Sequence, residues 1–293
     1  MEFRVLQYFL AVAREQSFTS AADYLHLSQP TLSRQLKDLE EELGKPLFIR
    51  SNRGISLTEE GLILRKRAEE MMQLMRQTQD EIAKADETTA GDVYIGAGES
   101  TVNRVLARAA RKVKERCPGI SFHIASGNFE FVTERLNKGL IDFGMVYGEV
   151  DSMQFHRLSL PETNRFAVLM REDSPLAQKE SISPADLREQ PLIVPATELR
   201  DGRSGLTWLS REPGKLHIAA TYTLIFNATL LVEEGLGCAI CYEKLANIQG
   251  NGLCYRPLKG APEHPCNIIW KKYQTLSKPA EKFLACLREI VEL

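Results

Sequence analysis

Between residues 17 and 44 the apolar positions fall into two short helical stripes separated by a tight turn. Ala21, Ala22 and Leu25 give the first helix a small apolar face, His26-Leu27 turns the chain, and Ser28 stands where an N-cap accepts from free backbone N–H groups. Pro30 then occupies the first turn, where its missing donor is harmless. Leu32, Leu36, Leu39 and Leu43 follow on one side, and at about 100° per residue they make a narrow stripe facing a core. Pro30, Ser33, Arg34 and Lys37 fall opposite. Upstream, Leu6, Phe9, Leu10 and Ala13 form the inner side of an opening helix that Phe18 staples to the next.

After the leucine stripe, Pro46-Leu47-Phe48-Ile49-Arg50 and Ile55-Ser56-Leu57 flank residues 51–54, the pattern of a two-stranded wing carrying Arg50 and Arg53 at its tip. A helix is expected from Thr58 to about Thr89, with no proline and no glycine beyond Gly61. Its positions Leu64, Ala68, Met71, Met75, Thr78, Ile82 and Ala85 alternate spacings of four and three, a heptad seam. The charged positions around it leave no second apolar face, so the seam is expected to meet a partner helix rather than a core. Gly91 closes this linker. Strands then alternate with helices over 93–97, 101–117, 120–125, 130–138 and 143–147, which is α/β patterning.

Length and charge sharpen this picture. A chain of 293 residues has room for two or three domains with real cores. Its net charge of −2 excludes global polycationic character, so any contact with nucleic acid has to rest on a local patch. Arg34, Lys37, Lys45, Arg50 and Arg53 supply one, with Asp38 and 40–42 expected to face away. The start MEFRVLQYFLAVAREQ is no basic leader with an uninterrupted apolar run, and no segment approaches the roughly 18 apolar residues of a membrane span. A cytoplasmic protein is expected. The six cysteines are scattered through a large chain, which favours reduced thiols. Cys238-Ala239-Ile240-Cys241 has C-x-x-C spacing but lies inside an apolar run, as a buried strand would. His264-Pro265-Cys266 offers two potential ligands without a second pair, so no metal and no cofactor are expected. No phosphate loop, dinucleotide fingerprint or serine elbow occurs.

The polar beginning of the second helix, Gln29, Pro30, Thr31, Ser33 and Arg34, is how a helix-turn-helix presents side chains to the major groove, while Arg50 and Arg53 suit phosphate or the minor groove. The residues Ser17-Phe18, Ala21-Ala22, Leu25, Ser28-Gln29-Pro30-Thr31-Leu32-Ser33, Leu39, Leu43-Gly44 and Pro46 to Arg50 closely resemble the winged helix-turn-helix of LysR-type transcriptional regulators. Weaker resemblance runs on through 136–145, 165–170, 173–177, 191–193 and 232–242. The resemblance implies an all-α winged helix-turn-helix over 1–57, a dimerising linker helix over 58–90, and an α/β effector-binding domain over 91–293. That last domain would resemble periplasmic solute-binding proteins, with one subdomain from about 91–162 plus 266–293 and another from about 163–265. It further implies a palindrome-like site in promoter DNA and a homodimer that goes on to a homotetramer. Some members sense peroxide through a mid-domain cysteine pair, but no cysteine lies between 117 and 238, so that mechanism is not expected.

Open parallel sheets bind ligands beyond their strand carboxyl ends, where helix N-termini present free N–H groups. Ser100, Thr101, Ser126, Asn128, Tyr147, Thr197, Tyr222 and Thr223 all follow expected strands and are the candidate effector contacts, with Arg203 and Arg200 from the glycine-containing stretch supplying charge. That set favours a carboxylate. Glu99 at the mouth would repel one, so an amino acid or similar zwitterion fits better. Two other functions suit an α/β region of this kind less well. A transport solute-binding protein needs a secretion signal and has no use for 17–57, and an enzymatic α/β domain needs a convergent catalytic constellation that the sequence does not display.

Overall fold

Residues 1–51, 54–83, 90–197, 199, 205–209 and 216–292 are described by the computed structural model, and the chain divides into two units, Met1–Asp86 and Glu87–Leu293. In the first, α1 (Phe3–Glu15), α2 (Phe18–Tyr24) and α3 (Gln29–Leu43) precede an antiparallel pair, β1 (Phe48–Ser51) and β2 (Gly54–Leu57), and the long α4 (Glu59–Ala83). The caps are those the sequence offers. Ser17 accepts from Ser20 N–H at 3.2 Å and Ser28 from Thr31 N–H at 3.3 Å. His26 makes the turn between α2 and α3 in the left-handed region, at φ 54°. Leu6, Phe9, Val12, Ala21, Leu32, Leu36 and Leu39 form one core, across which the Phe48 ring lies 5.3 Å from Phe9 and 5.5 Å from Phe18.

Four expectations change here. Leu43 is 41% exposed rather than core, because Gly44 ends α3 at φ +66° and Lys45 N–H folds back to the Glu40 carbonyl. Glu40 does not face outward with its neighbours, since its Oε1 accepts from Leu47 N–H at 2.6 Å and Phe48 N–H at 3.2 Å and so holds the entry to the wing. The heptad seam is split: Leu64 and Ala68 are buried in this unit's own core with Met71 packed on its edge, whereas Ile82 is 71% exposed. Nor is the rest of α4 wholly polar, since Leu62, Ile63 and Leu74 are exposed. Ala85 and the expected helix end lie outside the described residues.

The second unit contains two five-stranded sheets. Its first part runs β3 (Ala90–Ala97), a 3-10 turn at Thr101–Asn103, α5 (Arg104–Arg116), β4 (Gly119–Ser126), α6 (Phe129–Asn137), β5 (Phe143–Tyr147) and β6 (Phe155–Asn164). Gly91 therefore sits inside β3 instead of before it. The chain then crosses to β7 (Phe166–Arg171), β8 (Leu192–Pro195), β9 (Ile218–Tyr222), α7 (Ile225–Glu233), β10 (Cys238–Tyr242) and β11 (Leu253–Pro257), and returns for β12 (His264–Lys271) and α8 (Lys278–Val291). The sheets are ordered β4-β3-β5-β12-β6 and β11-β7-β10-β8-β9. The crossings fall after Asn164 and before His264, two residues later and two residues earlier than the expected subdomain divisions at 162 and 266.

In the first sheet β3 is parallel to β4 and β5, and in the second β8 is parallel to β9 and β10. Both faces of each are covered. Phe283 and Leu287 of α8 and Leu106 and Ala109 of α5 pack on one face of the first sheet, and Val132 and Leu136 of α6 meet Ile269 on the other. In the second, Val168, Val194 and Ile240 face one core while Leu169, Ile193 and Ala239 meet Val232 of α7. Two-sided burial explains the near-continuous apolar strands.

At Gly61, in the first turn of α4, the helix lies against the backbone that enters the strand pair: a Cβ there would stand 2.2 Å from the Leu47 carbonyl oxygen. Gly61→Ala is expected to destabilise the first unit by about 1–3 kcal/mol, the range of core overpacking. Calorimetric scans of the full chain check this, and an unshifted first-unit transition would show that the helix can back away freely.

Candidate nucleic-acid interface and ligand cleft

At the start of α3, Gln29, Pro30, Thr31 and Arg34 are exposed and Ser33 is half-buried, while Leu32 and Leu36 behind them are buried. This face is thus fixed from beneath by core packing. Thr31 is less available than its position implies, because its hydroxyl lies 2.7 Å from Ser28 Oγ. Of the five expected basic residues, Lys37 pairs with Glu41 at 3.3 Å and Lys45 with Glu60 at 3.7 Å. Arg34 has no ion pair among the described residues. Arg50 on β1 is exposed, its guanidinium 4.8 Å above the Phe18 ring at the start of α2. Arg53 lies outside the described residues.

In the second unit a cleft of about 740 Å³ opens between the two sheets. Its wall comes from strand carboxyl ends: Gly98 and Glu99 after β3, Ser126 to Phe129 after β4, Tyr147 ending β5, Pro195 to Thr197 after β8, Tyr222 to Leu224 after β9, and Tyr242 ending β10. Of the candidate contacts, Ser126, Asn128, Tyr147, Thr197, Tyr222 and Thr223 line it. Ser100 and Thr101 are not among the described lining residues. The reason is local, since Ser100 is buried, donates to Asn164 Oδ1 at 2.6 Å and accepts from Val102 N–H at 3.0 Å, capping the 3-10 turn that carries Thr101. Arg200 and Arg203 lie outside the described residues.

Two of the phenols that reach the cleft are bonded to the backbone. Tyr147 donates to the Gly98 carbonyl at 2.9 Å, and Tyr222 donates to the Ile240 carbonyl at 2.8 Å. Burial pushes both phenols far above their ordinary pKa, with the nearby Glu99 charge adding to it. They present rings more than hydroxyls. Sequence reasoning missed Phe129, Phe131, Phe166, Tyr242 and His264. Tyr242 was reachable by the same logic as Tyr147, each being the last residue of a strand, but Phe166 and His264 flank the sheet crossings and carry no local signal. Phe166 and Tyr242 lie 5.1 Å apart, Tyr147 and Tyr242 5.8 Å, and Tyr242 OH is 2.8 Å from His264 Nδ1.

Across this cleft, Glu99 Oε2 accepts from Ile225 N–H at 2.7 Å, so a carboxylate after β3 binds the first turn of α7. At α6, Asn128 Oδ1 accepts from Phe131 N–H at 3.0 Å. Cys238 and Cys241 are three apart on β10 and therefore lie on opposite faces, in separate cores, where they cannot act as a dithiol. Burial raises the Cys238 thiol to about 11 and Cys241 further.

A family model described as LysR substrate binding domain matches residues 86–292, and one described as bacterial regulatory helix-turn-helix protein, lysR family, matches residues 3–62. The chain belongs to the LysR family. It is similar to the transcriptional regulator BsdA of Bacillus subtilis, at 28% identity over 97% of this chain and 99% of that one, and to the Hca operon transcriptional activator HcaR of Escherichia coli, at 28% over 99% and 98%. Full-length CbnR complexed with its target DNA shares the fold, with a TM-score of 0.77 and 22% identity over 99% of both chains. This LysR-family protein is thus a DNA-binding transcriptional regulator with an effector-binding domain, and the cleft lies in that domain. No helix among the described residues is long and apolar enough to cross a membrane.

Burial holds the His264 imidazole below its ordinary pKa. The unfolded chain then binds more protons than the folded one, so the stability this neutral imidazole contributes is complete above about pH 6.5 and is lost as pH falls through that value. Melting temperature should drop between about pH 7.5 and about pH 5.5, and the drop should be smaller in His264→Gln. Equal slopes in the two proteins would remove His264 from the account.

Proposed function

We propose that this regulator reads a palindrome-like promoter site in cytoplasmic duplex DNA as a homodimer, assembling further to a homotetramer, and that a small molecule in the cleft controls the outcome. The observation that carries the DNA-reading role is the exposed, polar start of α3 seated on buried Leu32 and Leu36. Gln29, Pro30, Thr31, Ser33 and Arg34 enter the major groove, and Arg50 with Arg53 contacts phosphate or the minor groove. CbnR, which shares the fold, has been solved with its target DNA, in keeping with duplex DNA as the partner. The reading is of a regulator and not an enzyme, in line with BsdA and HcaR, which are named as a transcriptional regulator and a transcriptional activator.

A gel shift on the DNA upstream of the protein's own coding region tests the reading. Arg34→Ala should weaken binding most. If Arg34 reads a guanine the loss is about 1–3 kcal/mol and depends on the site, and if it holds phosphate all sequences weaken and the salt slope falls by about one. Unchanged affinity and slope would defeat both roles.

The dimer contact is assigned to the outer part of α4. Because Leu64 and Ala68 are used within their own unit, Met75, Thr78 and Ile82 carry the partner seam, with the exposed Leu74 beside it. Met75→Glu combined with Ile82→Glu should give monomers by sedimentation and abolish specific DNA binding, because a two-fold dimer matches the spacing of half-sites. An unaltered oligomer would reject the seam.

A further inference from the structure

We propose that the cleft selects an amine: a primary ammonium carried on a ring or other compact apolar body, with the charge at Glu99 and the body among Tyr147, Phe166 and Tyr242. The proposal rests on the effector-cleft reading above and narrows it. It also departs from the sequence expectation of a carboxylate or, better, an amino acid or similar zwitterion, by dropping the carboxylate and keeping the amine.

Three observations converge on it. First, both helix N-termini that open on the cleft are already supplied with negative partners by the chain itself. Glu99 occupies the start of α7 at 2.7 Å, and at α6 the Asn128 cap is in place with Glu130 in the first turn. A helix N-terminus attracts an anion only while its N–H groups and dipole lack one. An anionic ligand would have to displace Glu99 and sit beside Glu130.

Second, the described lining residues include the carboxylates Glu99, Glu130 and Glu134 and no lysine or arginine. Glu134 pairs with Lys138 at 2.5 Å, and Glu130 takes a contact from Asn128 at 3.5 Å. Arg135 stacks over the Phe131 ring at 5.3 Å without joining the lining. Glu99 accepts one backbone bond, whereas a carboxylate offers about four acceptor positions, so it retains capacity for an ammonium.

Third, the apolar wall includes a run of aromatic rings. Phe166, Tyr242 and Tyr147 lie in sequence with centroid separations of 5.1 and 5.8 Å, and Tyr147 has its hydroxyl turned into the backbone. Aromatic faces attract a desolvated cation and also pack a ring. A carboxylate meeting the same faces finds their negative side.

The test uses the full chain and four probes of matched shape: phenethylamine, neutral phenethyl alcohol, the carboxylate hydrocinnamate, and zwitterionic phenylalanine, with tyramine and cyclohexylmethylamine as further amines. Calorimetric titration and melting temperature should show an amine bound at least about tenfold more tightly than hydrocinnamate or phenylalanine, a margin of about 1.4 kcal/mol. Glu99→Gln keeps an oxygen acceptor for Ile225 N–H but gives up the charge at the α7 dipole, so its ligand-free melting temperature should fall only slightly while amine affinity falls at least about tenfold. Tyr242→Leu should weaken the amine as well. Absence of amine binding, tighter binding of hydrocinnamate or phenylalanine, or an amine affinity indifferent to Glu99→Gln would each overturn the proposal. Gel shifts on the same preparations separate the two levels: loss of the amine result with specific DNA binding intact removes only this inference, whereas loss of DNA binding removes the regulator reading itself.

Discussion

One covalent constraint organises the effector-binding domain: a single chain builds two sheets and crosses between them twice, after Asn164 and before His264. Because the crossings lie at β6–β7 and β11–β12, the carboxyl ends of β3, β4 and β5 and those of β8, β9 and β10 border the same space. A cleft between them follows from topology before any side chain is chosen. Side chains then decide its chemistry, and here the deciding one is Glu99, which reaches from the first sheet to the α7 N-terminus that packs on the second.

The first unit depends on a comparable contact at smaller scale. The Glu40 carboxylate takes the N–H groups of Leu47 and Phe48, and Phe48 in turn fills the space between Phe9 and Phe18. Thr58 completes the corner by donating to the Pro46 carbonyl at 2.8 Å and accepting from Gly61 N–H at 2.9 Å. Polar groups that would otherwise be orphaned at a helix end and a strand start are thereby satisfied within one turn of chain. The exposed face of α3 rests on the same core, through buried Leu32, Leu36 and Leu39, and a packed support is what the proposed DNA-reading role requires.

Legibility in the sequence tracks how local each cause is. Ser28, Pro30 and the leucines at 32, 36 and 39 act within a few residues, and their roles could be read directly, whereas Leu43 was misplaced because Gly44 unwinds the helix just as the stripe predicts burial. That Ser126, Asn128, Tyr147, Thr197, Tyr222 and Thr223 line the cleft could be anticipated from their places at or after strand ends. Ser100 broke that rule through a partner 64 residues away, Asn164, which turns its hydroxyl inward. The split of the α4 seam was illegible for a related reason: a heptad pattern states that a face is apolar, but not whether its own domain or another chain covers it. Phe166 and His264 reach the cleft only because the chain changes sheets beside them.

The Glu99 contact also bears on how occupancy could be converted into a change of state. Its carboxylate touches the α7 start directly, so any ligand that draws on the same oxygens alters the balance of the bond that spans the sheets. The Tyr242–His264 contact provides a second span, from β10 to the first residue of β12. A ligand can shift the relative populations of two arrangements only by the difference in its affinity for them. Contact with groups that themselves bridge the sheets is the most direct source of such a difference, because their geometry changes whenever the sheets move relative to each other. A ligand held solely by one sheet would bind both arrangements alike and transmit nothing, however tightly it bound.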